Sequence, residues 1–327
     1  MISTACAQLV ERAAAYGPLY ANGLSNHLPM ALIALDRMGA SPTQLEAFYA
    51  RYAPRLTRRP QSDAPLDPRE SFGVERNFEG VFAYFRALLA AEGKERVLQT
   101  WLPLLMPGVA TGAFHPMIRL AYALDAYEES EMAFGLASWV AEHRSLGDLG
   151  APTRRTLDEI VEPLSHEIAQ HDLNSSLIID RMVEVSQLPA VRVAATQPEH
   201  LEFAEVANFA IRMYAAREDF TVLHMVTGCH AFRLLIPYLD DAANATRHLW
   251  HAMMLAYLST GLIPQRLNAG SAATDLDWPR CLARAVQSDN DHVIKLAYTA
   301  WREASVTHDP LYLYAACRKV RDADSSG

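Results

Sequence analysis

The sequence predicts an all-α protein, a large single-domain bundle of about a dozen helices spanning residues 1–327. Three observations predict it. Apolar residues recur at three- and four-residue spacing along most of the chain, the alternating apolar and polar pattern of half-buried strands is missing, and half of all residues are hydrophobic, enough for a sizeable core.

The first strong helix follows "NHLPM". Pro29 suits a first helical turn, where its missing N–H has no partner to lose, and "ALIAL" supplies an apolar body that ends at Gly39. His27 therefore stands at a rigid helix entrance, where the ordinary expectation is a capping or turn histidine. Further helices are read from "FEGVFAYFRALLA", introduced by Glu75, Arg76 and Asn77 as a helix start, and from "PMIRLAYALDAY" and "EMAFGLASWVAEH". The acidic run "DAYEESE" between the last two reads as a solvated turn. "LEFAEVANFAIRMYAAR", "HLWHAMMLAYLST" and "DNDHVIKLAYTAW" complete the helical runs, without Asn-Gly hairpin turns between them. Joints fall near residues 57–74, 145–156, 186–199 and 261–279, the first and last long enough to serve as lids.

The formal charge of -9, from 38 acidic and 29 basic residues without long runs of either sign, argues against nucleic acid and anionic membrane surfaces as partners. No uninterrupted apolar segment reaches the roughly 18 residues that span a bilayer, and Glu11 and Arg12 interrupt the start of the chain where a signal peptide needs its apolar core. A cytoplasmic protein is expected. Cys6, Cys229, Cys281 and Cys317 are far apart with no CxxC pair, so reduced, mostly buried thiols are expected. No glycine-rich loop follows a strand, which leaves dinucleotide and P-loop readings without support.

"HPMIRLAY", "HAMMLAY" and "HVIKLAY" each place a histidine one turn ahead of Leu-Ala-Tyr, without the regular period of a repeat protein. Between the last two copies Met254 is replaced by Lys295, an apolar filler by a potential ligand. Four of the twelve histidines stand where a metal site could recruit them: His27, His115, His224 and His292. His115 precedes Pro116, which biases it away from helical geometry at the mouth of the next helix. His224 and His230 are six apart, about 120° around a straight helix, so both reach one ion only if Thr227-Gly228 breaks that helix. His292 and Lys295, three apart, lie on adjacent turns and can point at one site. The apolar stripe of Val293, Ala297, Ala300, Trp301 and Ala304, however, puts Lys295 on the far side with Arg302, as a solvated lysine. Tyr122, Tyr257, Tyr298 and Trp301 are candidates to line a pocket for a flat substrate, although aromatic residues at helical spacing are more often core.

Taken together, "NHLPMALIALDRMGAS", "GAFHPMIRLAYAL", "FTVLHMVTGCHAF" and "DHVIKLAY" resemble the questin oxidase-like family, with matches in order from near residue 20 to near residue 300. The resemblance implies an all-helical oxygenase that opens or oxidises the rings of aromatic polyketides, by dioxygenase or Baeyer-Villiger-type chemistry. It implies Fe2+ held by His27, His115, His224 and His292 with a modified, carboxylated Lys295, molecular oxygen as co-substrate, and a small aromatic or polyketide-like substrate. His230 lies outside the matching part, and Met30 and Arg119 stand where family sequences often carry further histidines. Neutral imidazoles suit Fe2+, and a lysine joins them only as the free amine or as a carbamate, because an ammonium has no lone pair. The competing readings are an NADPH- or flavin-assisted monooxygenase, which lacks a dinucleotide fingerprint here, and a helical binding scaffold without catalysis.

Overall fold

The computed structural model describes residues 1–60, 64–267 and 274–324. Helix α1 (Thr4–Ala13) leads through a hairpin of β1 (Leu19–Tyr20) and β2 (Leu24–Ser25) into α2 (Leu28–Arg37) and α3 (Pro42–Tyr52). Helices α4 (Phe78–Glu92), α5 (Lys94–Leu105), α6 (His115–Ala126) and α7 (Glu129–Ala141) follow. Next come β3 (Pro152–Thr153), α8 (Leu157–Ile168), α9 (Ile178–Gln187), α10 (Pro189–Val193) and β4 (Gln197–Pro198), the two strands pairing in parallel. The chain ends with α11 (Phe203–Ala216), α12 (Phe220–Leu235), α13 (Ala242–Leu258), α14 (Trp278–Gln287), α15 (Asp291–Thr307) and α16 (Pro310–Asp324). The fold is all-α, with sixteen helices among the described residues against the dozen expected. Several of the additional ones are short, such as the five-residue α10.

Four helices position the site. Helix α2 packs on α6, α6 on α12, α12 on α15, and α15 back on α2, so the four close a ring. Residues 28–35 of α2 are all buried, as are residues 221–232 of α12, the pattern of helices enclosed on every side rather than amphipathic surface helices. Phe220–Tyr238 is long and apolar enough to cross a membrane by length and composition, but 72% of that window is buried within the bundle. His224, His230 and Arg233 interrupt it.

Glycine allows a close approach in this ring. A Cβ on Gly228 would stand 3.1 Å from Met253 Cε and 3.2 Å from Phe114 Cγ, so a bare backbone at that turn lets α12 lie against the segment that leads into α6.

Several local expectations are corrected. An Asn-Gly turn does occur: Ala21, Asn22 and Gly23 all take positive φ and join β1 to β2 antiparallel. The run "DAYEESE" is solvated only at its centre. Asp125 receives Arg37 Nε at 3.0 Å and the Tyr298 hydroxyl at 2.6 Å, and the buried Glu131 pairs with Arg119 Nε at 2.7 Å. Two further expectations hold: Glu75–Asn77 forms a 3-10 turn that leads directly into α4, and all four cysteines are buried and free. The proposed lid segments 57–74 and 261–279 contain residues 61–63 and 268–273, which lie outside the described residues. The described parts of both joints contribute no side chain to the cavity described below.

Candidate metal centre

The N-terminal turns of α2, α6, α12 and α15 meet at one end of the ring, and each brings one histidine. His27 is the N-cap of α2, His115 the first residue of α6, His224 the fifth of α12 and His292 the second of α15. Ring centroids are 4.5 Å apart for His27 and His115, 4.8 Å for His27 and His292, 4.8 Å for His115 and His224, and 5.4 Å for His224 and His292. The four imidazoles therefore form a closed circuit of neighbours.

Although His27 is the N-cap residue, its side chain makes no capping bond. Asn26 does that work: its Oδ1 accepts from Leu28 N–H at 3.0 Å, and its amide donates to the Gly17 carbonyl at 3.0 Å. The His27 ring is thereby released to point inward, and its Nδ1 bonds the Asp291 carboxylate. His115 reaches its place differently. Its own backbone is helical, against the expectation drawn from Pro116, and the left-handed residues are the three before it, with φ of 55°, 56° and 70° at Gly112, Ala113 and Phe114. At about 1–2 kcal/mol each for the two residues with a Cβ, this turn stores strain beside the cluster. It also turns the Gly112 carbonyl onto His115 Nδ1.

The same bonding pattern recurs at a third ring, and the fourth lies close to a carboxylate. His224 Nδ1 donates to the Phe220 carbonyl at 2.7 Å, and His292 Nδ1 lies 3.3 Å from the Asp291 oxygen that also receives His27. At His27, His115 and His224 the Nδ1 side is thus held by a carboxylate or carbonyl, which sets the tautomer and leaves Nε2 as a bare lone pair. Nε2 of His27 and Nε2 of His292 are buried with no hydrogen-bond partner among the described residues, and Nε2 of His115 lies 3.2 Å from Nε2 of His224. Two facing lone pairs repel unless a cation lies between them. Nitrogens bound at 2.0–2.1 Å to one first-row ion stand roughly 2.9–3.4 Å apart for octahedral to tetrahedral angles, a range that includes this spacing. One ligand atom each from His27, Asp291 and His292 also falls within a 4.8 Å group. The bond from His27 Nδ1 makes Asp291 the orienting partner of that imidazole.

The electrostatics keep the rings neutral. Burial, then the Lys295 charge, push His27 down to about 4 against the bond to Asp291, and the same two causes take His224 to about 3. Burial followed by neighbouring imidazoles holds His115 well below its ordinary value, and burial with Lys295 does the same to His292. Burial works to raise Asp291, but the bond from His27, with the positive potential of His27, His292 and Lys295, more than reverses it and keeps the carboxylate ionised. Lys295 is 1% exposed, which corrects the solvated reading: α15 is covered on both flanks by α2 and α12. Burial pushes its ammonium down to about 8, opposed only by Asp291, and no described residue pairs with it directly.

The remaining sequence candidates lie elsewhere. Helix α12 runs unbroken through Thr227-Gly228, and His230, about 9 Å further along it than His224, bonds Glu303 at 2.8 Å, a carboxylate also held by Arg233 at 2.8 Å. His251 of the Leu-Ala-Tyr echo lies against the Leu146 carbonyl at 3.5 Å. Tyr122, Tyr257 and Tyr298 are core residues and Trp301 packs against that core; none lines the cavity. Arg119 is consumed by Glu131.

A cavity of about 590 Å³ opens beside the imidazoles, which His27, His115 and His292 reach directly. Its other walls are the β1–β2 hairpin, Leu177 and Ile178 at the start of α9, and Phe220, whose exposed ring lies 4.7 Å from both His224 and His292. Sequence reasoning missed Asp291, although its position four residues before Lys295 puts both on one helix face. It also missed the cavity wall, which comes from segments with no chemical signature.

Comparison with known proteins places the chain in a family. The family described as questin oxidase-like matches residues 24–300, a stretch that includes all four histidines and Lys295. A curated relative, the questin oxidase of Aspergillus terreus (strain NIH 2624 / FGSC A1156), is 24% identical over 328 aligned residues, covering 83% of this chain and 73% of that protein. With the family's match running from β2 through α2, α6 and α12 and into α15, over most of the sequence, the chain belongs to the questin oxidase-like family.

Proposed function

We propose that the chain is an oxidoreductase that binds Fe2+ at the histidine cluster and uses molecular oxygen to oxidise or cleave a ring of an aromatic, quinone-like polyketide. One observation carries the reading: four buried, neutral imidazoles form a closed circuit of neighbours, with Nε2 of His115 and His224 3.2 Å apart, Nε2 of His27 and His292 buried without a partner among the described residues, and Nδ1 of His27, His115 and His224 each held from behind. That donor set fits a divalent first-row metal, and His27, His115, His224 and His292 would hold it. Lys295 would add an anionic oxygen if carboxylated, and lowering its pKa to about 8 raises the share of free amine, the form that reacts with carbon dioxide, well above that of an ordinary lysine.

Bound iron would supply a one-electron route between oxygen and a closed-shell phenol. The chain's own residues do the rest. Asp291 fixes the His27 tautomer and lies 3.3 Å from the His292 ring, while Leu177, Ile178 and Phe220 offer an apolar slot for a flat ring. The relative named as questin oxidase supports an oxidoreductase with an aromatic polyketide substrate.

The test is elemental analysis of protein purified without added metal, followed by oxygen uptake with a hydroquinone-like polyketide. Near-stoichiometric iron, lost together with oxygen uptake in His224→Ala, is expected. Protein that neither carries nor takes up iron, and consumes no oxygen after reconstitution, would end the proposal.

A further inference from the structure

We propose that Arg55 and Tyr20 form an anion-recognising subsite on the solvent side of the cavity, selecting an aromatic substrate that carries an ionised oxygen, as carboxylate or acidic phenolate. The inference rests on the reading of the cavity as a ring-oxidising site, and it adds a substrate class.

Arg55 is the one lysine or arginine among the described residues that line the cavity. Its Nη2 donates to the Tyr20 hydroxyl at 3.1 Å, and its guanidinium lies 4.7 Å from the Tyr52 ring centroid. Tyr52 in turn accepts from the His27 backbone N–H at 3.4 Å, so the guanidinium sits one tyrosine ring away from the cluster. These contacts orient the arginine without neutralising it. No described carboxylate pairs with it: Asp289, which also lines the cavity, is bonded by Arg51, and Asp291 is occupied by His27 and His292. With one N–H spent on Tyr20, four of five donors remain in a planar fork suited to a carboxylate or paired oxygens.

The rest of the lining sets the ligand's shape. Leu24, Leu177, Ile178, Ile179 and Phe220 are apolar, with Leu24 47% and Phe220 55% exposed beside a single unneutralised cation. A flat hydrocarbon body with one anionic edge satisfies both surfaces. A neutral ring would leave the guanidinium partly desolvated and unpaired, which is the basis of discrimination.

Binding is measured on metal-free protein without oxygen, by fluorescence titration with 2-naphthoate, its neutral amide 2-naphthamide, and a nitro-substituted naphthol ionised at neutral pH. Wild type should favour the anions. Arg55→Gln should weaken their binding tenfold or more and change the amide by less than twofold, and Arg55→Lys should recover part of the loss. The anion that loses more identifies carboxylate or phenolate as the better fit. Equal effects on anion and amide, no effect on either, or wild type that prefers the amide or binds none of the probes would overturn the subsite. Circular dichroism verifies that the exposed position leaves the fold intact. Iron uptake and oxygen consumption are scored separately, so loss of the subsite leaves the oxygenase reading standing, and selective anion binding without oxygen uptake does the converse.

Discussion

Replacing Lys295 by methionine should make the metal-free protein more stable while abolishing its chemistry. Lys295 is enclosed by α2, α12 and its own helix, and its ammonium has only the electrostatic support of Asp291. Burial takes its pKa from an ordinary 10.5 to about 8. At about 1.4 kcal/mol for each tenfold change in the proton equilibrium, the buried ammonium costs the fold about 3 kcal/mol. The sign follows from proton counting. Between pH 8 and 10.5 the unfolded chain still holds the lysine proton that the folded chain has released, so wild-type stability rises with pH in that window. Below pH 8 both states are charged and the cost is present in full. Methionine keeps the unbranched length and carries no charge, so Lys295→Met should gain about 3 kcal/mol at pH 7 and progressively less towards pH 10.5. The assay is urea unfolding of metal-free, bicarbonate-free protein at pH 7 and pH 10, with bound iron and oxygen uptake measured on parallel samples. A methionine variant less stable than wild type at pH 7 would show that the ammonium is well paired. Retained iron and activity would remove the lysine from the site. Lys295→Arg, whose guanidinium neither deprotonates nor forms a carbamate, should instead lose both stability and activity.

Asp291→Asn should lower iron affinity about ten- to a hundredfold, the usual effect of losing a carboxylate that orients ligand histidines, whereas His224→Ala should abolish binding; equal losses in competition titrations would make Asp291 a direct ligand. His230→Asn should leave iron bound but cost about 1–3 kcal/mol in chemical unfolding, because it disturbs the partner of a buried carboxylate; loss of iron to the extent seen for His224→Ala would place His230 in the cluster. Glu142, raised by burial and then by Glu75 from 4.5 to about 8, keeps a proton in the folded chain that the unfolded chain has released, so stability should fall as pH climbs through that window. Glu142→Gln should flatten the slope, and an unchanged pH profile of the unfolding midpoint would refute the assignment.

The histidines at positions 27, 115, 224 and 292 were legible because each sits in a short motif, two of them, His27 and His115, at a helix entrance. Their convergence was implied only by the family resemblance, since no local pattern shows that four helices separated by up to 265 positions close into a ring. Lys295 shows the difference most sharply. Its own helix places it opposite the apolar stripe, and a periodicity argument assumes that only one face of a helix is covered. With α2 on one flank and α12 on the other, both faces are interior and the argument reverses. Asp291 was overlooked for a related reason: a carboxylate in the first turn of a helix is an ordinary favourable feature, and nothing local indicates that two imidazoles from different elements share it.

By itself, the sequence determined the helical class, the burial of the cysteines and which histidines stand at helix entrances, because these follow from periodicity, side-chain type and capping within a few residues along the chain. Tertiary structure alone decided that Asn26 and not His27 caps α2, that three left-handed residues turn His115 inward, and that Phe220, Leu177 and Arg55 share one cavity. Those outcomes depend on which backbone carbonyls and side chains meet across the ring, and contacts between residues far apart in the chain leave no periodic trace in it.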